Sequence, residues 1–279
     1  PVILFKFTSV SPIFVGKKAP SDRDKEIIRL MYDRNECLGA TNVKRFFFES
    51  VINSNRLIPI DLTNVQKGPE FLCALSFIFS FGGIFLNLSK KIMMFAKDKI
   101  NRELPFSLLV YELCAASYGY ASGDWAFARK YDDDLVNQNM RNIGAALPAY
   151  IAFYFRQKVE RGSYEEAEKL IKKVTEIGNV YEHEYSIAIK YFRSVFLKAR
   201  WGRIQEAMIE IDEGIEFIRR LSYSGQLLSI YSLKARLFIA MGDIGNAEKT
   251  LDFANRIADE NRPSPNFLGD YFIGHLLIH

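Results

Sequence analysis

Glycine recurs in this chain at Gly83, Gly123, Gly162, Gly202 and Gly242, at intervals of 40, 39, 40 and 40 residues. The chain holds 17 glycines in 279 residues. With one residue of tolerance per step, four further hits arise by chance on the order of once in a thousand such chains. A fixed period of this length marks a repeat architecture, in which one supersecondary unit recurs and contacts its neighbours. Other positions keep the same step. Ala128, Ala167, Ala207 and Ala247 each stand five residues after one of the last four glycines. Phe85, Trp125 and Tyr164 stand two residues after the first three, with Ile204 and Ile244 in the last two units.

The register has a physical reading. Upstream of each glycine runs an apolar-rich stretch, such as 145–159 or 185–199, and downstream runs an amphipathic one. In 164–177, Ala167, Leu170, Ile171, Val174 and Ile177 form one stripe at helical spacing. Glu165, Glu166 and Glu168 come early on the other faces and Lys172 and Lys173 later, as a helix dipole favours. Glycine adopts the left-handed conformation that ends a helix without a Cβ penalty, so each glycine predicts a turn between two helices. The small alanine on the second helix lets the pair approach closely. Each hairpin leaves an apolar face that only a neighbouring hairpin covers. The expectation is an all-α chain, a right-handed superhelical stack of antiparallel helix hairpins.

The turn sequence Gly-x-aromatic-x-x-Ala, here Gly162-Ser-Tyr164-Glu-Glu-Ala167 and Gly123-Asp-Trp125-Ala-Phe-Ala128, resembles that of the tetratricopeptide repeat. The last full unit is similar to the family pattern on both helices, at Tyr231, Ala235 and Phe238 and at Ala247, Leu251 and Ala254. It departs from that pattern in its longer period, in Lys234 where Leu is usual, and in lacking the closing proline. Units of this length resemble the helical arrays of large bacterial signalling ATPases, nucleotide cyclases and maltose-regulator-type transcription activators. The clear resemblance covers 104–262, with a weaker extension back to about residue 67.

The resulting organisation is an N-terminal extension or end of a preceding domain at 1–20, a degenerate first helical unit at 21–66, and the repeat array at 67–279. Ser21 is positioned to cap a helix with Asp22 and Asp24 in its first turn, running through Ile27, Ile28, Leu30 and Met31 to about Cys37. Gly39 is placed to end that helix, and Phe46, Phe47, Phe48 and Val51 to lie on the next. The uncharged run 71–88 reads as a core hairpin turning at Gly82 and Gly83, or as a docking surface for another domain. Ser76, Ser80 and Asn87 dilute it as a membrane span. The chain opens at Pro1, not Met, and is expected to be a piece of a longer protein.

A composition 49% apolar and 14% aromatic is that of a folded chain, and a formal charge of +4 lacks the basic excess of a nucleic-acid binder. The same balance neither demands nor forbids an acidic partner. Cys37, Cys73 and Cys114 show no CxxC spacing, which suits reduced thiols in the cytoplasm. Gly16-Lys17-Lys18 lacks the upstream glycine and hydroxyl of a phosphate loop, and His183-Glu184 lacks the second histidine of a zinc helix. His275 and His279 have no third ligand in view. Asp132, Asp133 and Asp134 point in different directions on a helix and read as a solvated face. The expectation is therefore no enzyme, no metal and no cofactor.

What the resemblance implies about binding is a concave groove lined by the first helix of each hairpin. Carried over residue by residue, that groove takes Leu113, Ser117 and Tyr120, then Ala152, Arg156 and Val159, then Phe192, Phe196 and Ala199, then Ser232, Arg236 and Ile239. Ser117, Tyr120, Arg156, Phe192, Phe196 and Arg236 are its candidate contact residues. Both arginines suit a carboxylate or phosphate. Phe192 and Phe196, one turn apart, suit either a groove or the core between hairpins. Two functions follow as expectations. The first is a cytoplasmic interaction scaffold of a bacterial signal-transduction or transcription-regulatory protein, docking a protein segment or a neighbouring domain. The second is a sensor enclosing a small-molecule effector.

Overall fold

The computed structural model describes residues 16–278 apart from 42, 58, 64, 84, 125, 128, 129, 142, 222, 262 and 264–266, and it does not describe the side chains of 39–44. Thirteen helices, and no strand, are found among the described residues. The chain divides into two compact units, Pro1–Tyr150 and Ile151–His279.

In the first unit, α1 (Asp22–Thr41) and α2 (Val43–Leu57) precede a hairpin of α3 (Gly68–Phe81) and α4 (Leu86–Lys97), then α5 (Pro105–Ser122) and α6 (Asp133–Asn139). Ser21 caps α1 as its position predicts. Its hydroxyl oxygen accepts from the Asp24 amide at 3.1 Å, and the Asp24 carboxylate accepts from the Ser21 amide at 3.0 Å. Gly39, however, lies inside α1, which runs on to Thr41. The run 71–88 is a core hairpin. Phe71, Leu72, Leu75 and Phe79 are buried, and the chain turns at Gly83 with φ of 64°. Its serines are paired inside it, the Ser76 and Ser89 hydroxyls 2.7 Å apart and those of Ser80 and Ser117 3.0 Å apart. No helix among the described residues is long and apolar enough to cross a membrane.

Two expectations change in this unit. The unit boundary falls at Tyr150, so the Gly83 hairpin and α5 belong with α1 and α2 and not with the later repeats. The cause is burial: Ile28, Tyr32, Val51 and Leu57 share one apolar cluster with Phe71, Phe79 and Val110. The helix expected directly after Gly123 instead starts at Asp133 and is seven residues long. Asp132 sets that start, its carboxylate accepting from the Leu135 amide at 3.0 Å, with Asp133 and Asp134 in the first turn. Trp125 and Ala128 lie outside the described residues.

The second unit follows the register closely. It comprises α7 (Ala146–Glu160, which enters it from the first unit), α8 (Tyr164–Val180), α9 (Glu184–Arg200), α10 (Ile204–Arg220), α11 (Ser224–Ala240), α12 (Ile244–Asn261) and α13 (Gly269–Ile278). Gly162, Gly202 and Gly242 have φ of 73°, 73° and 77°. The same pair of hydrogen bonds closes each turn. The glycine amide donates to the carbonyl three residues back, and the next amide donates to the carbonyl five back, as from Arg203 to Lys198 at 3.0 Å. Ala167, Ala207 and Ala247 are each 0% exposed, as close helix pairing requires. Helix α9 packs on α8, α10 and α11, and α11 on α10, α12 and α13.

Candidate functional site

The first helices of the second unit, α7, α9 and α11, bring together most of the residues that the resemblance singles out. Phe192 and Phe196 lie one turn apart on α9, half-buried, with ring centroids 6.4 Å apart and planes 24° from parallel. The Arg193 guanidinium lies over two rings, 5.5 Å from the centroid of Phe155 on α7 and 5.1 Å from that of Phe192. Arg200 lies 5.2 Å over Phe196. Arg193, Phe196 and Arg200 are spaced i, i+3, i+7, so they form one stripe along α9. Arg156, next to Phe155 in α7, is half-buried. A planar guanidinium on an aromatic face is held by the ring's quadrupole, and its N–H groups spread in the plane of the fork.

Two of the expected groove residues stand elsewhere. Ser117 is 1% exposed and its hydroxyl is engaged with Ser80, so it is an interior group and not a surface contact. The reason is that α5 is buried on most of its faces in the first unit, where a carried-over groove register does not apply. Tyr120, also on α5, is half-buried and belongs to that unit as well. Arg236 on α11 already has the carboxylate expected of a ligand: it donates to Asp270 of α13. Helix α13 was not foreseen, although Tyr191, Tyr231 and Tyr271, and Leu197, Leu237 and Leu277, carry the forty-residue step into it.

The lysines of the same helices behave differently from the arginines. Lys190 and Lys198 of α9 both reach Glu210 of α10, each at 2.8 Å, and Ser194 donates to the same carboxylate at 2.6 Å. Burial pushes the Glu210 carboxyl up and is the largest single influence. The hydrogen bonds donated by Lys190, Lys198 and Ser194 together outweigh it and leave the group below the usual carboxylate range. Lys234 of α11 reaches Asp212 of α10 at 2.5 Å, and Lys158 of α7 pairs with Glu166 of α8. Each lysine thus ties a first helix to a second one.

Elsewhere, ionisable groups are tied up in the fold. In the first unit, Ser107 donates to the buried Glu70 carboxylate, joining α5 to α3, and the Lys67 ammonium lies 3.8 Å over the Phe106 ring. His183 opens α9, its Nδ1 2.8 Å from the Ser186 hydroxyl, and His275 Nε2 is 2.9 Å from the Asn255 side-chain oxygen. His279 lies outside the described residues. Among the described residues no three His, Cys, Asp or Glu side chains converge as a metal set. No family model, no curated protein and no solved structure matches the chain.

Proposed function

We propose that the second unit is a docking scaffold with no chemistry of its own, in which the hairpins continue as a tetratricopeptide-like right-handed stack and the first helices line its concave side. The observation that carries this reading is the α9 stripe: two half-buried stacked phenylalanines with guanidinium groups laid over them. Large aromatics and arginine dominate the energetics of protein interfaces. A surface combining them, held on a helix fixed on both sides by neighbouring hairpins, is pre-organised for a protein segment. The resemblance to arrays of signalling ATPases, cyclases and transcription activators supports a regulatory setting in a bacterial cytoplasm.

Photo-crosslinking in the source cell tests the docking role. Benzoylphenylalanine is substituted at Phe196, and separately at Ile209, which is 67% exposed on the second helix α10. The expected result is a protein adduct at position 196 that maps to one defined segment of one partner, with none at 209. No adduct at 196, or the same adducts at both positions, refutes a docking role for this face.

A further inference from the structure

We infer that the occupant of the α9 surface is an acidic protein segment, its carboxylates meeting guanidinium groups laid on phenylalanine rings; this rests on the docking reading above. The net charge of +4 conceals a sorting by layer. The first helices α7, α9 and α11 carry eight Lys or Arg against two Asp or Glu, a net +6. The second helices α8, α10 and α12 carry seven against thirteen, a net −6. Within that pattern the two kinds of cation divide the work. The lysines Lys158, Lys190, Lys198 and Lys234 are spent inside the molecule, on Glu166, Glu210 and Asp212 of the second helices. Arg193 and Arg200 lie over Phe192 and Phe196.

The chain contains an intramolecular example of the same recognition. Helix α13 is seated on α11, and its Asp270 carboxylate takes the Arg236 guanidinium. An acidic residue on an apolar helix is thus an occupant that the first-helix layer already accepts. Spacing refines the chemistry. Arg193 and Arg200 are seven residues apart, about 10 Å along a helix axis. That distance matches acidic residues about three apart in an extended segment. An apolar side chain between them covers Phe192 and Phe196. Charge complementarity of this kind raises association rates and sets specificity, and it weakens with salt.

The test is fluorescence anisotropy on the full 279-residue chain with two short peptides. One carries Glu residues three apart around Leu, and the other is its Gln counterpart; an oligothymidylate serves as the phosphate control. The acidic peptide is expected to bind at least about ten-fold more tightly than the neutral one, and to weaken as salt rises. Arg193→Lys with Arg200→Lys keeps both charges but removes the planar fork. It is expected to weaken the acidic peptide several-fold while leaving the helical circular dichroism unchanged. Equal binding of the two peptides, binding by neither, tighter binding of the oligothymidylate, or an unaltered affinity in the Lys variant each overturns the proposal. A crosslinked segment at Phe196 without acidic residues overturns the chemistry and leaves the docking role standing. Absence of any adduct fails the docking role itself.

Discussion

Replacing Glu210 by Gln removes one charge from the point where α9 and α10 are joined, and its effect can be worked out beforehand. Glu210 is 8% exposed and accepts from Lys190, Lys198 and Ser194. A hydrogen bond involving a charged group contributes about 1.5–3 kcal/mol, and a neutral one about 0.5–1.5 kcal/mol. The loss is then about 1 kcal/mol for each lysine, about 2 kcal/mol in all. The two lysine side chains keep 26% and 27% of their surface in solvent, so the ammonium groups can turn outward. That relief brings the expected cost to roughly 1–2 kcal/mol, a factor of roughly 5–30 in an opening equilibrium.

Two compact units do not guarantee one unfolding transition, so the suitable readout is local. Amide hydrogen exchange resolved over α9 and α10 reports the opening of that hairpin pair directly. At neutral pH the Gln variant is expected to exchange there roughly 5–30 times faster than the parent chain. The pH dependence has a definite sign. The folded-state pKa of Glu210 lies below its ordinary value. The stabilisation is therefore fully present above the unfolded value of about 4.3 and is lost as pH falls through the folded one. In acid the parent carboxyl carries its proton and the two proteins converge. Equal exchange at neutral pH, or a gap that persists undiminished well below the carboxylate range, refutes the reasoning.

Two further outcomes follow from the backbone and the thiols. Gly202→Ala is expected to destabilise by about 1–2 kcal/mol through left-handed backbone strain alone, because φ is 73° and an added Cβ meets nothing within 4 Å. Glu182→Gly, at a φ of 51°, shifts stability the opposite way by up to about 1 kcal/mol, and local exchange at the two turns reads both. Cys73 and Cys114 are fully buried and their thiols are pushed up chiefly by that burial, whereas Cys37 is exposed. Ellman's reagent is expected to titrate Cys37 rapidly in the native chain, and Cys73 and Cys114 only on unfolding.

The turns were legible because the constraint at each acts on a single residue: a left-handed φ following a helix selects glycine wherever it recurs. The buried alanines at 167, 207 and 247 were legible for a related reason, since only a small side chain fits where two helices touch. The turn between α8 and α9 was not legible, because Glu182 stands there in a left-handed conformation where no glycine marks it. The shortening of α6 came from capping by Asp132, a competition that helical periodicity does not register. Ser117 failed as a surface residue because the groove register came from a resemblance, and burial in the first unit decides which face of α5 is open. Arg193 and Arg200 were passed over because a ring contact between helices leaves no spacing rule in a sequence.

The sorting of charge between helices links stability to recognition. A lysine carries a compact, strongly hydrated charge on a flexible stem, and from a first helix it can reach a carboxylate on the next element. An arginine's flat fork gains instead from an aromatic face. Placing acids on the second helices therefore draws the lysines across the hairpin, as Glu210 draws Lys190 and Lys198, and leaves guanidinium groups to the rings of α9. Exchanging the roles, with Lys190→Arg and Arg193→Lys together, conserves net charge and every apolar contact of the core. It is nonetheless expected to cost both the tie at Glu210 and the ring contact at Phe192, slowing neither loss by compensation from the other. Hydrogen exchange over α9 and α10 and affinity for an acidic peptide would then fall away together. If only one of them changed, the two cations would be independent features and the layer sorting would have no common cause.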